Sequence, residues 1–146
     1  MKLKPEYLFD VNVLLALLSE DHIHHQLVTD WLDGTDSEWA VCPFTEAGFL
    51  RTVTAPRPGK ITMMEAAAIL ESTTRRPGYR YLPITADFQT LCSPFFARLY
   101  GTKQVTDAYL LGLAVREGLV LVTMDKGILH LAGKEHRQHV LLLEPK

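Results

Sequence analysis

Only two of the 146 residues are cysteines, Cys42 and Cys92. Two thiols without a CxxC spacing exclude a disulfide framework and read as small buried side chains. Long apolar runs are missing too, and none approaches the roughly 18 to 20 residues that cross a bilayer. The opening stretch MKLKPEYLFD lacks the apolar core and cleavage site of a secretory signal. Cytoplasm, with no membrane partner, is therefore the expected location. No repeat, low-complexity tract or linker divides the chain, so residues 1–146 are expected to fold as one domain. What is present is ordinary: 47% hydrophobic and 22% charged residues, a soluble globular composition.

Positive charge is scarce in the first fifty residues, where Lys2 and Lys4 face nine acidic side chains. Residues 51–80 reverse the balance, with Arg51, Arg57, Lys60, Arg75, Arg76 and Arg80 against Glu65 and Glu71. The net charge of −2 hides this asymmetry. An acidic half beside a basic middle suits a cation site next to a surface for a polyanion. Taken alone, the asymmetry is better read as solvated faces.

The stretch YLFDVNVLLALL, Tyr7 to Leu18, organises the chain. An apolar run ends in Asp10, and a second begins with Asn12 as its only polar member, the pattern of a buried strand passing into a buried helix. A helix carrying Ile23, Leu27, Trp31 and Leu32 follows and stops at Gly34. Trp39 to Cys42 is a second strand. Thr45 is placed to cap the next helix, with Glu46 in its first turn. APRPGK is a loop, and Thr62 with Glu65 has capping-box spacing. Tyr81 to Ile84 reads as a third strand, set at an edge by Pro83. Ser93 and Pro94 open a helix over Phe95 to Tyr100, and Thr106 caps another that ends at Gly118. Leu119 to Thr123 is a strand buried on both faces. Asp125, a short helix around Ile128 to Leu131, and a strand over Val140 to Leu143 complete the chain. This alternation predicts an α/β fold, three layers α/β/α around a mostly parallel sheet of four to five strands.

Four acids share one kind of position. Asp10 and Asp125 follow strands, while Glu46 and Asp107 open helices directly after a threonine. In a parallel sheet these places lie on one edge, where open α/β sheets bind ligands. Taken singly, an acid in a helix's first turn gains about 0.3 to 1 kcal/mol from the macrodipole and needs no other purpose. Together, two carboxylates about 4 Å apart repel by roughly 4 kcal/mol at an effective dielectric of 20. A converging group must be protonated, spread apart or neutralised by a cation. Hard oxygen donors without His or Cys suit Mg2+ or Mn2+.

The segments FDVNVLLALLSEDHIHHQLVTDWL, FTEAGFLRTVT and VTDAYLLGLAVREGLVLVTMDKGI, in that order, resemble PIN-domain ribonucleases, specifically VapC-type toxins of bacterial toxin–antitoxin pairs. The likeness covers nearly the whole chain. It implies a PIN-like fold and cleavage of RNA with Mg2+ or Mn2+ at an acidic cluster. It also implies a homodimer neutralised by a VapB-like antitoxin whose C-terminal segment covers the acids. By position the family's acids fall on Asp10, Glu46, Asp107 and Asp125, the expected metal ligands and catalytic residues. Asn12, Thr45, Thr106 and Thr123 become the expected hydrogen-bond donors that orient them. Many relatives place another acid or an aromatic soon after the last Asp; here Lys126, Gly127 and Ile128 follow.

Other signals compete. Arg51, Arg75, Arg76, Arg80 and Lys126 are candidate RNA contacts, on the argument that basic groups beside an acidic site track a phosphate backbone. His22, His24 and His25 lack the i, i+4 spacing of a helical zinc pair and read as a partly exposed turn. Trp31, Phe95 and Phe96 are expected in the core rather than as base-stacking platforms. An Asp after the first strand also fits a haloacid-dehalogenase-type phosphatase with Asp10 as nucleophile. That chemistry wants a second acid two residues on, where this chain has Asn12. A third reading is a PIN-like module that binds RNA or protein without cutting.

Overall fold

The computed structural model describes residues 6–145. The first five residues, part of the stretch without a signal pattern, and Lys146 lie outside the described residues. In chain order the elements are β1 (Tyr7–Phe9), α1 (Val11–Leu18), α2 (His25–Asp33), β2 (Trp39–Val41), α3 (Pro43–Val53), α4 (Met63–Thr73), β3 (Tyr79–Tyr81), α5 (Phe88–Cys92), α6 (Val105–Glu117), β4 (Val120–Thr123), α7 (Lys126–Ala132) and β5 (Val140–Leu142). The strands form a single all-parallel sheet in the order β3-β2-β1-β4-β5.

Each strand feeds two cores because its side chains alternate in direction. Leu8, Ala40 and Leu121 point to one face, under Leu91, Phe95, Leu111 and Leu131. Phe9, Val41 and Val122 point to the other, under Val13, Val28, Phe49 and Ala66. Helices α5, α6 and α7 thus cover one face and α1 to α4 the other, giving the expected three layers. In register, Leu8 lies between Ala40 and Leu121. The pairing of β1 with both β2 and β4 puts Asp10 at the centre of the sheet's C-terminal edge. Helices α1 and α3 approach closely over that edge: a Cβ on Gly48 would sit 2.4 Å from Val11 Cγ2. Cys42 and Cys92 are both buried free thiols, as expected.

Several local expectations give way to stronger signals. Pro43, whose fixed φ suits a first helical residue, starts α3 with Cys42 as its N-cap, so Thr45 lies inside the helix rather than capping it. Helix α6 starts at Val105 with Gln104 as N-cap, so Thr106 does not cap either. Strand β3 ends at Tyr81, before Pro83, and does sit at the sheet edge. Ile23 precedes α2 and is 87% exposed. Helix α5 was not expected; Asp87 caps it by accepting a hydrogen bond from Thr90 N at 2.9 Å. Residues Ser93–Arg98 continue from it as a 3-10 helix. Phe95 is in the core, but Phe96 is exposed and stacks on Phe88. Trp31 is half-buried against Tyr7 and Phe9.

Candidate functional site

Asp10 leaves β1 in an extended conformation and is the N-cap of α1. Its Oδ1 accepts from Val13 N at 2.9 Å, and its Oδ2 accepts from the Thr123 hydroxyl at 2.5 Å. The residue is only 4% exposed and has no cationic partner among the described residues. Burial pushes its pKa up to about 6, against the opposing pull of the Thr123 and Val13 hydrogen bonds and with a further push from Asp125. A capping role alone does not require such burial, since a cap works at the surface.

Thr123, at the end of β4, is fully buried and serves two acids at once. Its hydroxyl donates to Asp10 and accepts from Asp125 N at 3.0 Å. Asp125 caps α7, its Oδ1 accepting from Gly127 N at 2.8 Å, and it is exposed. Asp107, in the first turn of α6, is half-buried. Burial, then the charges of Asp10 and Asp125, raise its pKa to about 7. Asp10, Asp107 and Asp125 therefore form one electrostatic group.

The shifts of Asp10 and Asp107 owe nothing to Glu46. Burial alone raises its pKa, and its charge is felt by Tyr79 on β3. The orienting residues divide as well. Thr123 fills its expected role. Thr45 is buried but donates to Phe9 O at 2.7 Å, with Cys42 Sγ 3.4 Å away, so it ties α3 to the strand end before Asp10 rather than to a carboxylate. Thr106 is half-buried and makes no hydrogen bond to the four acids. Asn12 is exposed; its backbone amide, not its side chain, favours the Asp10 carboxylate.

Among the described residues, no three acidic, histidine or cysteine side chains form a ready metal-binding group. The donor set nevertheless fits a hard, hydrated cation. Mg2+ keeps several waters and takes one or two carboxylates rather than a closed protein cage, and each carboxylate oxygen of Asp10 has lone-pair capacity beyond its single hydrogen bond. Beside the acids is a cavity of about 430 Å3 lined by Asn12, His22, His24, Met124 and Asp125. His22 and His24 are half-buried in the expected turn, where His22 Nδ1 accepts from His24 N at 3.0 Å. Their place at this cavity went unread in the sequence, although the tract follows the very helix that Asp10 caps.

The basic candidates lie elsewhere. Arg75 and Arg76 precede β3, and Gly78 O accepts from Trp39 N at the start of β2, so this turn is at the sheet's N-terminal edge. That edge is opposite the acids. Arg75 pairs with Glu71, and Arg80 pairs with Glu6. The premise that this loop stands beside the acidic site is thus overturned. Arg51 is exposed in the last turn of α3 and forms no ion pair with the four acids. Lys126 is exposed next to Asp125 and alone of these cations remains close to the site.

This geometry has counterparts. The PIN domain family model matches residues 7–134. Ribonuclease VapC38 of Mycobacterium tuberculosis is 40% identical over 139 residues, covering 93% of this chain and 96% of the relative. Ribonuclease VapC44 of the same species is 39% identical over 123 residues, 83% of this chain and 87% of the relative. Among solved structures, VapBC2 from Rickettsia felis bound to a promoter DNA fragment shares the fold with a TM-score of 0.60 at 12% identity, over 94% of this chain and 96% of that one. A toxin–antitoxin complex from Klebsiella pneumoniae gives 0.63 at 16% identity, over 94% and 98%. No described helix is long and apolar enough to cross a membrane. A parallel sheet with a buried, unpaired aspartate at its central C-terminal edge, and relatives at this identity over most of their length, lead to one conclusion: the chain belongs to the PIN-domain family, among the VapC ribonucleases.

Proposed function

We propose that the protein is a divalent-metal-dependent endoribonuclease acting in the cytoplasm as the toxin of a toxin–antitoxin pair. One observation carries the metal-dependent part of this reading. Asp10 and Asp107 are withdrawn from water without a counter-charge, and their pKa values rise to about 6 and about 7. A buried carboxylate costs stability unless something neutralises it. A bound Mg2+ or Mn2+ would neutralise it and supply Lewis acidity toward water and phosphate.

The chain's own residues then have definite tasks. Asp10, Asp107 and Asp125 would hold the cation, with Glu46 at the flank of the group. Thr123 fixes the Asp10 carboxylate and the Asp125 backbone relative to each other. The reaction is hydrolysis, with water attacking phosphorus in line and the RNA oxygen leaving. Hydrolysis by water needs no nucleophilic side chain, and Cys42 is buried against Thr45. A phosphatase of the dehalogenase type is not supported, because the position two residues after Asp10, where that chemistry wants a second acid, is Asn12.

A VapB-like antitoxin and a second copy of the chain are the proposed protein partners. A groove of about 760 Å3 runs from Asn12 and His22 past Leu15, Phe49, Val53 and Ile61. Its apolar floor, opening beside the acids, suits an inserted antitoxin segment. The test is purified chain incubated with total cellular RNA, with and without Mg2+ or Mn2+, followed by 5′-end mapping. Discrete metal-dependent cleavage, lost in Asp10→Asn and Asp107→Asn, is expected. RNA bound but never cut would leave a non-catalytic binding module instead.

A further inference from the structure

A second charged region comes together where α7 returns the chain to the sheet's N-terminal edge. A cavity of about 640 Å3 is lined by Arg98, Leu129, His130, Gly133, Lys134 and Arg137. Three of these are guanidinium or ammonium groups, and His130 adds an imidazole N–H donor. The wall is built rather than incidental. Arg98 Nε donates to Leu131 O at 3.0 Å and its Nη2 to Ala132 O at 3.3 Å, satisfying the last carbonyls of α7. Gly133, at φ +64°, makes this approach possible, because a Cβ there would lie 2.9 Å from Arg98 Cζ. Arg137 Nη1 donates to Val140 O at 2.9 Å, which anchors the far wall. Among the described residues, the one carboxylate that pairs with this cluster is Glu135, 3.5 Å from Arg98 and largely solvated. Lys134 has no ion pair among the described residues.

The cavity connects to the acids through α7 itself. Lys126 and His130 are exposed and one turn apart on this helix, and Lys134 follows at the same spacing just past its end. Lys126 and His130, four apart, share one face of α7, and Lys134, past the turn at Gly133, lines the same cavity as His130. Seven residues at about 1.5 Å each make a track of roughly 10 Å, room for about one to two steps of an extended single strand. At one end is Asp125; at the other is the cationic cavity.

Resting on the ribonuclease reading, we propose that α7 is the track for the substrate's sugar–phosphate backbone. Lys126 meets the phosphate beside the scissile one, and Lys134 and Arg137 hold a more distant phosphate in the cavity. Contacts of this kind set register and affinity without reading sequence. The ligand is single-stranded RNA extending past the cleavage point, and the turn at Arg75 and Arg76 has no part in holding it.

The test measures affinity for a labelled single-stranded RNA across a salt titration, with Asp10→Asn in every protein so that no strand is cut. Lys134→Gln with Arg137→Gln should weaken binding about tenfold or more and lower the log–log salt slope by about 1.4, since each phosphate contact on a single strand contributes roughly 0.7. Arg75→Gln with Arg76→Gln, the same change in net charge, should leave both unaltered. Should Arg137→Gln disturb the fold on thermal melting, His130→Gln with Lys134→Gln tests the same cavity. Equal losses in the two sets, or no loss in either, would overturn the track while leaving metal-dependent cleavage by the unsubstituted chain intact. An unsubstituted chain that neither binds nor cuts RNA would overturn the ribonuclease reading and the track with it.

Discussion

The two edges of the sheet treat charge in opposite ways. At the N-terminal edge around β3, Arg75 is exposed and Arg80 half-buried, and each is paired, Arg75 with Glu71 and Arg80 with Glu6. At the C-terminal edge, Asp10 is buried and Asp107 half-buried, and neutral donors rather than cations hold the Asp10 carboxylate. Exposed pairs contribute little and are easily replaced. Uncompensated buried charge opposes folding and persists where a ligand makes up the difference. The contrast separates a solvated surface from a working site more cleanly than charge density does.

The contrast breaks most completely if the acids are neutralised. Asp10→Asn and Asp107→Asn should each reduce RNA cleavage by more than about a hundredfold, beyond the 10 to 100-fold expected for residues that only support ligands. Gel assays with end-labelled RNA measure this. Asn at position 10 keeps an oxygen for Val13 N, so the cap and the fold should survive. Thr123→Val removes the hydroxyl shared by Asp10 and Asp125; cleavage should fall about 10 to 100-fold, with about 1 to 3 kcal/mol lost in chemical denaturation.

The pH dependence of stability sharpens the same point. Both acids have raised folded-state pKa values, to about 6 and about 7, against an ordinary 3.8. Between pH 4 and 7 the folded chain therefore binds more protons than the unfolded one. Metal-free stability should fall as pH rises through that window and level off above it. Asp10→Asn should remove its share of the loss, and Mg2+ or Mn2+ at pH 8 should recover melting temperature in the unsubstituted protein only. A flat metal-free profile in thermal melts would count against buried, unpaired acids.

Smaller effects probe the frame and the opposite edge. Gly48→Ala should cost about 1 to 3 kcal/mol in denaturant titrations, because its Cβ meets Val11 and forces α1 and α3 apart. Arg80→Gln should change stability by no more than about 1 kcal/mol and leave cleavage unaltered. If Arg80→Gln impaired cleavage as strongly as Thr123→Val, the two edges would no longer differ as described.

The layers and Asp10's place were legible because apolar runs broken by single acids mark strand ends. The sheet order was not, since nothing local dictates that β1 lies between β2 and β4. Thr45 and Thr106 follow the local capping pattern, yet Pro43 and Val105 set the actual helix starts. Glu46 shares a position type with Asp107 but is carried toward Tyr79 by α3. The Arg-rich turn drew attention by density, whereas Lys126, His130 and Lys134 are dilute in sequence and gather only when α7 forms. Their four-residue spacing was the available signal.

The central claim is that the acids at the C-terminal edge bind a divalent cation, and calorimetric titration of Mn2+ at pH 6.5 tests it directly. Binding displaces protons from partly protonated carboxylates. The expected result is saturable binding with proton release, seen as a heat that depends on buffer ionisation, and abolished in Asp10→Asn. Equal Mn2+ affinity in the unsubstituted and Asp10→Asn proteins would contradict it.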